Sequence, residues 1–196
     1  NRTTEHVAVT GNTFESTVDC IKLQATSGAG QQPRHLTIDG NVFVLHQRTG
    51  PPVIRSAVNA AAGPGEYVFS NNTVLGPVDG TGVALNHRPT RRNKSVIIRG
   101  NIVRQCIIGF QLVSAATDRF ERVVLEGNTF DPGLLPASFA VFLDRDANVI
   151  DDFVMANNIW TGVGIVPVAR LLKDDIRVPY DGSQLWRTHG RPGILA

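Results

Sequence analysis

Hydrophobic and polar residues alternate with a period of two in an eight-residue stretch that occurs six times in the chain. The first copy reads VAVTGNTF (7–14), and the others are LTIDGNVF (36–43), YVFSNNTV (67–74), VIIRGNIV (96–103), VVLEGNTF (123–130) and FVMANNIW (153–160). Alternation that is rich in β-branched residues is typical of strands, and it lacks the 3.6-residue stripe of a helix. The stretch therefore predicts a repeat unit made of strands.

Each copy contains a fixed asparagine, and the distances between successive asparagines define the repeat. These residues are Asn12, Asn41, Asn72, Asn101, Asn128 and Asn158. They lie 29, 31, 29, 27 and 30 residues apart. Periods of about 20 to 50 residues indicate a solenoid, a propeller or a repeat array. A propeller blade needs four strands in about 40 to 50 residues, so these periods are too short for a propeller.

A second, looser strand pattern lies between the copies. Its segments are CIKLQA (20–25), VIRSAV (53–58), GVALNH (82–87), GFQLVS (109–114), AVFLDR (140–145) and VARLLK (168–173). No helix separates the strands, so each strand must pair with its counterpart in the next repeat, about 4.8 Å away. We predict an all-β fold, a parallel β-helix of about six coils of 27–31 residues over residues 1–172. An irregular C-terminal tail or linker is expected over residues 173–196, where the repeat stops.

The fixed asparagines are predicted to stack at a tight bend as a structural Asn ladder. A stacked carboxamide both donates to and accepts from its neighbours, which stabilises in-register parallel strands. The position before each asparagine must tolerate a positive φ, which glycine does best and asparagine next best. The residues at that position are Gly11, Gly40, Asn71, Gly100, Gly127 and Asn157.

The repeated hydrophobic-x-hydrophobic-x-Gly-Asn-x-hydrophobic pattern resembles the right-handed parallel β-helix proteins of the pectin-lyase-like superfamily over roughly residues 5–172. The resemblance implies that GVALNH (82–87) and its equivalents form the sheet on which ligands of this superfamily usually lie. It is more specific for fold than for activity, since the superfamily includes lyases, hydrolases, epimerases, phage tailspikes and adhesins. The segments YDGSQLW (180–186) and HGRPG (189–193) resemble those that leave the β-helix of phage- and prophage-type tailspikes, which would imply a homotrimer.

Charge and hydropathy argue against nucleic-acid and membrane partners. Lys and Arg number 19 and Asp and Glu 17, and the net formal charge of +2 is spread along the chain. No apolar run approaches the roughly 18 residues that a membrane-spanning helix needs. By the resemblance, the protein is expected to be secreted, extracellular or virion-associated. The first strand begins without a preceding capping helix, so we expect either a longer natural chain or capping by another subunit.

Two cysteines are predicted to remain unpaired. Cys20 and Cys106 precede equivalent strands three coils apart, a separation of about 14 Å at the usual strand spacing. A disulfide cannot span that distance.

Residues that alternate with the predicted core positions would face a ligand on the ligand-bearing sheet. The inward pairs are taken as Ile21/Leu23, Val83/Leu85, Phe110/Leu112 and Val141/Leu143. The outward row is then Lys22, Gln24, Arg55, Ala84, Asn86, Gln111, Phe142 and Asp144. We predict polysaccharide binding by Lys22, Arg55, Asn86, Arg88 and Gln111. The alternative is an ordinary solvent-facing polar sheet.

Two catalytic hypotheses remain open. Asp144 and Asp146 lie two residues apart, roughly 7 Å along one strand, which suits the carboxyl pair of an inverting glycosidase. His87 is a candidate base for β-elimination, with Arg88, Arg91 and Arg92 as clamps for a uronic carboxylate. A solvated loop and a basic turn are the respective alternatives.

No metal site is predicted. Lyases with the resembled fold often hold calcium with acidic residues of the ligand-bearing sheet, but only Asp144 matches such a position. We therefore expect no cofactor, with calcium left as an alternative. Trp160 replaces the phenylalanine of other copies and is expected in the core.

The sequence thus favours a carbohydrate-active module that acts on an extracellular polysaccharide as a lyase or a glycoside hydrolase. The alternative is a noncatalytic glycan-binding or structural segment of a tailspike or adhesin.

Overall fold

The computed structural model describes residues 6–23, 34–47, 49–50, 53–60, 65–87, 93–112, 120–135, 138–143, 150–161, 166–169 and 187–188. Within these ranges the chain forms strands and no helix, as the sequence pattern predicts. The strands build three parallel sheets, and each coil contributes one strand to each sheet in turn. The predicted parallel β-solenoid is confirmed.

Three sheets, here called A, B and C, run along the solenoid. Sheet A contains β1 (His6–Thr10), β4 (His35–Asp39), β7 (Glu66–Ser70), β10 (Asn93–Arg99), β13 (Phe120–Glu126) and β16 (Ile150–Ala156). Sheet B contains β2 (Thr13–Ser16), β5 (Val42–Leu45), β8 (Thr73–Leu75), β11 (Ile102–Arg104), β14 (Thr129–Asp131), β17 (Ile159–Trp160) and β19 (Arg187–Thr188). Sheet C contains β3 (Ile21–Leu23), β6 (Arg55–Ala60), β9 (Gly82–His87), β12 (Ile108–Leu112), β15 (Phe139–Leu143) and β18 (Val166–Ala169).

The core fills the space that the three sheets enclose. Equivalent positions of successive coils pair in register, so that Leu36 stands opposite Tyr67 and Ile38 opposite Phe69. Like side chains therefore stack along the solenoid axis, and the rings of the paired residues Phe14 and Phe43 lie 5.2 Å apart. Trp160 is buried in the same interior, as expected. Stacked apolar side chains bury the inner face of the central strands, such as β7 and β9, which is the main stabilising contribution in a solenoid.

The Asn ladder forms at the bend between sheets A and B. In a representative rung, the Asn101 Nδ2 donates to the Phe69 carbonyl oxygen at 2.9 Å and to Asn128 Oδ1 at 2.9 Å. Its Oδ1 accepts from the backbone N–H of Asn72 at 3.0 Å and from the Asn72 Nδ2 at 3.1 Å. The residues before the asparagines adopt positive φ, including the non-glycine Asn71 at 52° and Asn157 at 54°. Both predictions about this corner are confirmed.

The predicted domain boundary at residue 172 lies outside the described residues. The irregular tail over residues 173–196 therefore stays a prediction. Two residues of the predicted tail, Arg187 and Thr188, form β19 and pair in parallel with Ile159 and Trp160. Cys20 and Cys106 are both free thiols, as the coil spacing predicts. Burial raises the pKa of Cys106, and burial together with the Asp19 charge raises the pKa of Cys20 to about 11.

Candidate functional site

A row of amide side chains stands in register on the outer face of sheet C. Strand pairing places Lys22 opposite Asn59, Asn59 opposite Asn86, and Asn86 opposite Gln111. We call Asn59, Asn86 and Gln111 the amide row. Lys22 is exposed, Asn59 and Gln111 are half-buried, and Asn86 is 6% exposed. The sequence correctly placed Lys22, Asn86 and Gln111 in one row but missed Asn59.

The predicted place of Arg55 in this row is wrong, although alternation assigns its side chain to the same face as that of Asn59. Strand β6 begins at Arg55, which stands opposite Gly82, and Asn59 occupies the position that the sequence assigned to Arg55. Val53 and Ile54, taken as strand residues, are exposed and precede the strand. The second coil is the longest between asparagines, at 31 residues, and the extra length shifts the strand later in the sequence.

The buried Arg55 guanidinium forms an ion pair with the half-buried Asp79 that connects the second coil to the third. Arg55 is 1% exposed, and its Nη1 donates to Asp79 Oδ2 at 2.9 Å and to Thr81 Oγ1 at 2.8 Å. Thr81 donates in turn to Asp79 Oδ1, from its backbone N–H at 3.1 Å and from its hydroxyl at 2.6 Å. Burial would raise the pKa of Asp79, but the hydrogen bonds from Thr81 and Arg55 and the Arg55 charge together lower it. Asp79 is therefore ionised at neutral pH.

His87 lies inside the solenoid. Strand β9 continues through His87, and the alternation that places Val83 and Leu85 in the core places His87 there as well. Its side chain is 0% exposed, and its ring centroid lies 5.1 Å from that of Tyr67 and 5.9 Å from that of Phe120. An imidazole in this position cannot contact a polymer on the outer face. Extending the period-two pattern by two residues would have indicated this.

Several predicted site residues lie outside the described residues. These are Gln24, Arg88, Arg91, Arg92, Asp144 and Asp146. Strand β15 ends at Leu143, directly before the proposed carboxyl pair. The glycosidase hypothesis for Asp144 and Asp146, and the clamp role of the three arginines, stay predictions.

A cleft lies between the turns that connect sheet B to sheet C. We call it the notch: its floor is Gln105 and Ile107, and its walls are Val78 with Asp79 and Leu134 with Leu135. The cleft has a volume of about 690 Å³, which lies within the range of ligand pockets. The sequence analysis did not identify it. The sequence feature that indicates a short turn here is the shortest asparagine spacing, the 27 residues between Asn101 and Asn128.

Neither a metal centre nor a membrane span is visible in the part of the chain that the structure describes. Within those ranges no three His, Cys, Asp or Glu side chains are grouped so that they could hold a metal ion. The same ranges contain no helix that is long and apolar enough to cross a membrane.

Comparison with known proteins gives no assignment: no family model, no curated protein and no solved structure matches the chain.

Proposed function

We propose that this β-solenoid binds an extended polysaccharide along the outer face of sheet C. The observation that carries the proposal is the in-register row of Lys22, Asn59, Asn86 and Gln111. The half-buried carboxamide of Gln111 offers both donors and acceptors, which suits the hydroxyl groups of a sugar. Successive members of the row rise by about 4.8 Å, close to the repeat of an extended glycan. The pectin-lyase-like resemblance of the Gly-Asn repeat supports the same ligand class.

The members of the row are not equally available to a ligand. Asn59 Nδ2 donates to Asp19 Oδ2 at 2.9 Å, and Asn86 is nearly buried. Lys22 and Gln111 retain more exposure. A glycan would therefore gain most of its polar contacts at the Lys22 and Gln111 ends of the row, with Asn59 holding the sheet surface in place.

Binding without cleavage is the function that the described side chains favour. The lyase mechanism loses its proposed base because His87 is enclosed by the core. Glycoside hydrolysis by Asp144 and Asp146 remains a separate proposal that the same experiment tests, since a hydrolase would release new reducing ends.

The test measures binding and turnover together. The chain is incubated with neutral and acidic polysaccharides, with and without calcium, and retention in affinity electrophoresis, reducing ends and the absorbance of unsaturated sugars are recorded. We expect retention without new absorbance. Gln111→Ala should weaken binding about fivefold, the effect of losing one hydrogen bond of about 1 kcal/mol. Arg104→Ala, an exposed change on sheet B, is the matched control. No retention by any polysaccharide, or equal loss in both variants, would refute the proposal.

A further inference from the structure

The notch exists because three successive turns between sheets B and C differ in length. Residues 76–81 separate β8 from β9, residues 105–107 separate β11 from β12, and seven residues, of which 132–135 and 138 are described, separate β14 from β15. The short middle turn is recessed between two longer ones. The two walls are therefore two coils apart, about 9.6 Å between backbones at the usual strand spacing. A cleft of that width accepts a single layer of atoms such as one ring.

The notch is held open by backbone geometry. Gln105 at its floor adopts a φ of 55°, which is uncommon for a residue other than glycine. A Cβ atom on Gly76 would lie 2.2 Å from the Gln105 carbonyl oxygen, so the adjacent turn can only be this close with glycine there. The wall containing Gly133 is braced by its N–H, which donates to Asp131 Oδ1 at 2.9 Å. A preformed cleft needs little reorganisation to bind a ligand.

The walls are apolar and unusually exposed. Leu134 is 99% exposed and Val78 is 68% exposed, on opposite sides of the cleft. Exposed aliphatic side chains that line a concave surface gain free energy when an apolar face covers them. A ligand with at least one apolar face is therefore favoured.

The polar groups of the notch select against negative charge. Asp79 presents an ionised carboxylate, and Arg55 behind it already balances that charge. Among the described lining residues there is no Lys, Arg or His that would attract an anion. Gln105 offers a carboxamide that can donate and accept. Uronic acids and phosphates are disfavoured, whereas hydroxyl groups can donate to Asp79 and exchange hydrogen bonds with Gln105.

We propose that the notch binds one uncharged sugar ring, with its apolar face against Leu134 and its hydroxyl groups towards Asp79 and Gln105. This inference rests on the proposed polysaccharide binding and narrows it to neutral glycans. Ile107 at the notch floor and Gln111 in the amide row lie four residues apart, about 13 Å along the same strand direction. The notch therefore lies to one side of the amide row, which crosses the strands, so a side branch of a glycan that lies on the row can reach it.

The test compares neutral with acidic oligosaccharides on the whole chain. A neutral glucan or galactomannan oligomer and an oligogalacturonate are titrated calorimetrically into the wild type, Leu134→Ser and Gln105→Gly. Ile102→Ser, a change at an exposed apolar residue on sheet B in the coil before that of Leu134, is the matched control. We expect the wild type to prefer the neutral oligomer and Leu134→Ser to weaken its binding about tenfold, with Ile102→Ser unchanged. Leu134→Ser should fold normally because the side chain is exposed, and Gln105→Gly should relieve the positive φ.

The outcomes separate this inference from the proposed function. Binding of glycans that the notch variants do not alter, or binding of acidic glycans alone, overturns the notch and leaves the amide row standing. Absence of binding to every glycan overturns both. Self-association of the wild type in sedimentation velocity that Leu134→Ser abolishes would reassign the notch to a contact between copies of this chain and overturn the sugar site.

Discussion

Replacement of a central ladder asparagine by alanine should destabilise the solenoid far more than the same change at its first rung. Asn101→Ala removes four side-chain hydrogen bonds, two donated by Nδ2 and two accepted by Oδ1. It leaves the buried backbone N–H of Asn72 without that acceptor, which costs about 1–3 kcal/mol. The other three bonds contribute about 1 kcal/mol each. The expected loss in the free energy of unfolding is about 4–6 kcal/mol.

Asn12→Ala is the matched comparison, because it changes the same residue of the same motif. Asn12 is exposed, and its Nδ2 donates to the Thr10 carbonyl oxygen at 2.8 Å and to Asn41 Oδ1 at 3.2 Å. Water can replace these bonds at an exposed position, so we expect a loss of about 1 kcal/mol. Urea unfolding followed by far-ultraviolet circular dichroism measures both variants. Equal destabilisation by the two substitutions would refute the argument that burial of the ladder sets its contribution.

Two other substitutions test the close approach of the coils and the buried ion pair. Gly76→Ala should lower the midpoint of urea unfolding more than Gly11→Ala. A Cβ atom at Gly76 meets the backbone of the next coil. A Cβ atom at Gly11 meets nothing within 4 Å, so this substitution costs only the strain of its positive φ, about 1–2 kcal/mol. A smaller effect at Gly76 than at Gly11 would contradict this. Asp79→Ala should destabilise by about 3 kcal/mol at neutral pH, since it leaves a buried guanidinium unpaired. The pKa of Asp79 is lower in the folded than in the unfolded state. The stability that Asp79 provides is therefore fully present above the unfolded pKa of about 3.9, and it is lost as the pH falls through the folded-state pKa. Urea titrations at several pH values should show wild type and variant converging in acid, and a constant difference would exclude the ion pair as the cause.

The repeat was predictable because each coil contains the residues that determine its own bend. Positive φ before the bend requires glycine or asparagine, and the carboxamide after it stacks on its counterpart, so Gly100-Asn101 and Asn71-Asn72 are recognisable without tertiary information. The inward positions of Val83 and Leu85 follow from alternation alone. These features repeat in every coil, and repetition reinforces each inference.

The candidate site was less predictable because it depends on differences between coils. The position of Arg55 follows from the length of one turn, and its burial depends on Asp79, 24 residues later in the chain. Neither property appears in a period-two pattern. The burial of His87 could have been predicted, since strand β9 continues through this residue with the same alternation. The notch depends on the relative lengths of three turns, and the asparagine spacing of 27 residues indicates only that one coil is short.

The chemical identity of the ladder rungs gives the solenoid a modular character. Each of the four inner asparagines, from Asn41 to Asn128, bonds to the coil before it through an equivalent carbonyl, such as Val9 for Asn41, and to the coil after it through an equivalent carboxamide. If one whole repeat were duplicated or deleted, the rungs on either side would meet partners of the same kind at the same spacing. Gene duplication can therefore lengthen such a protein without inventing a new interface, and the individual turns remain free to diverge into binding surfaces.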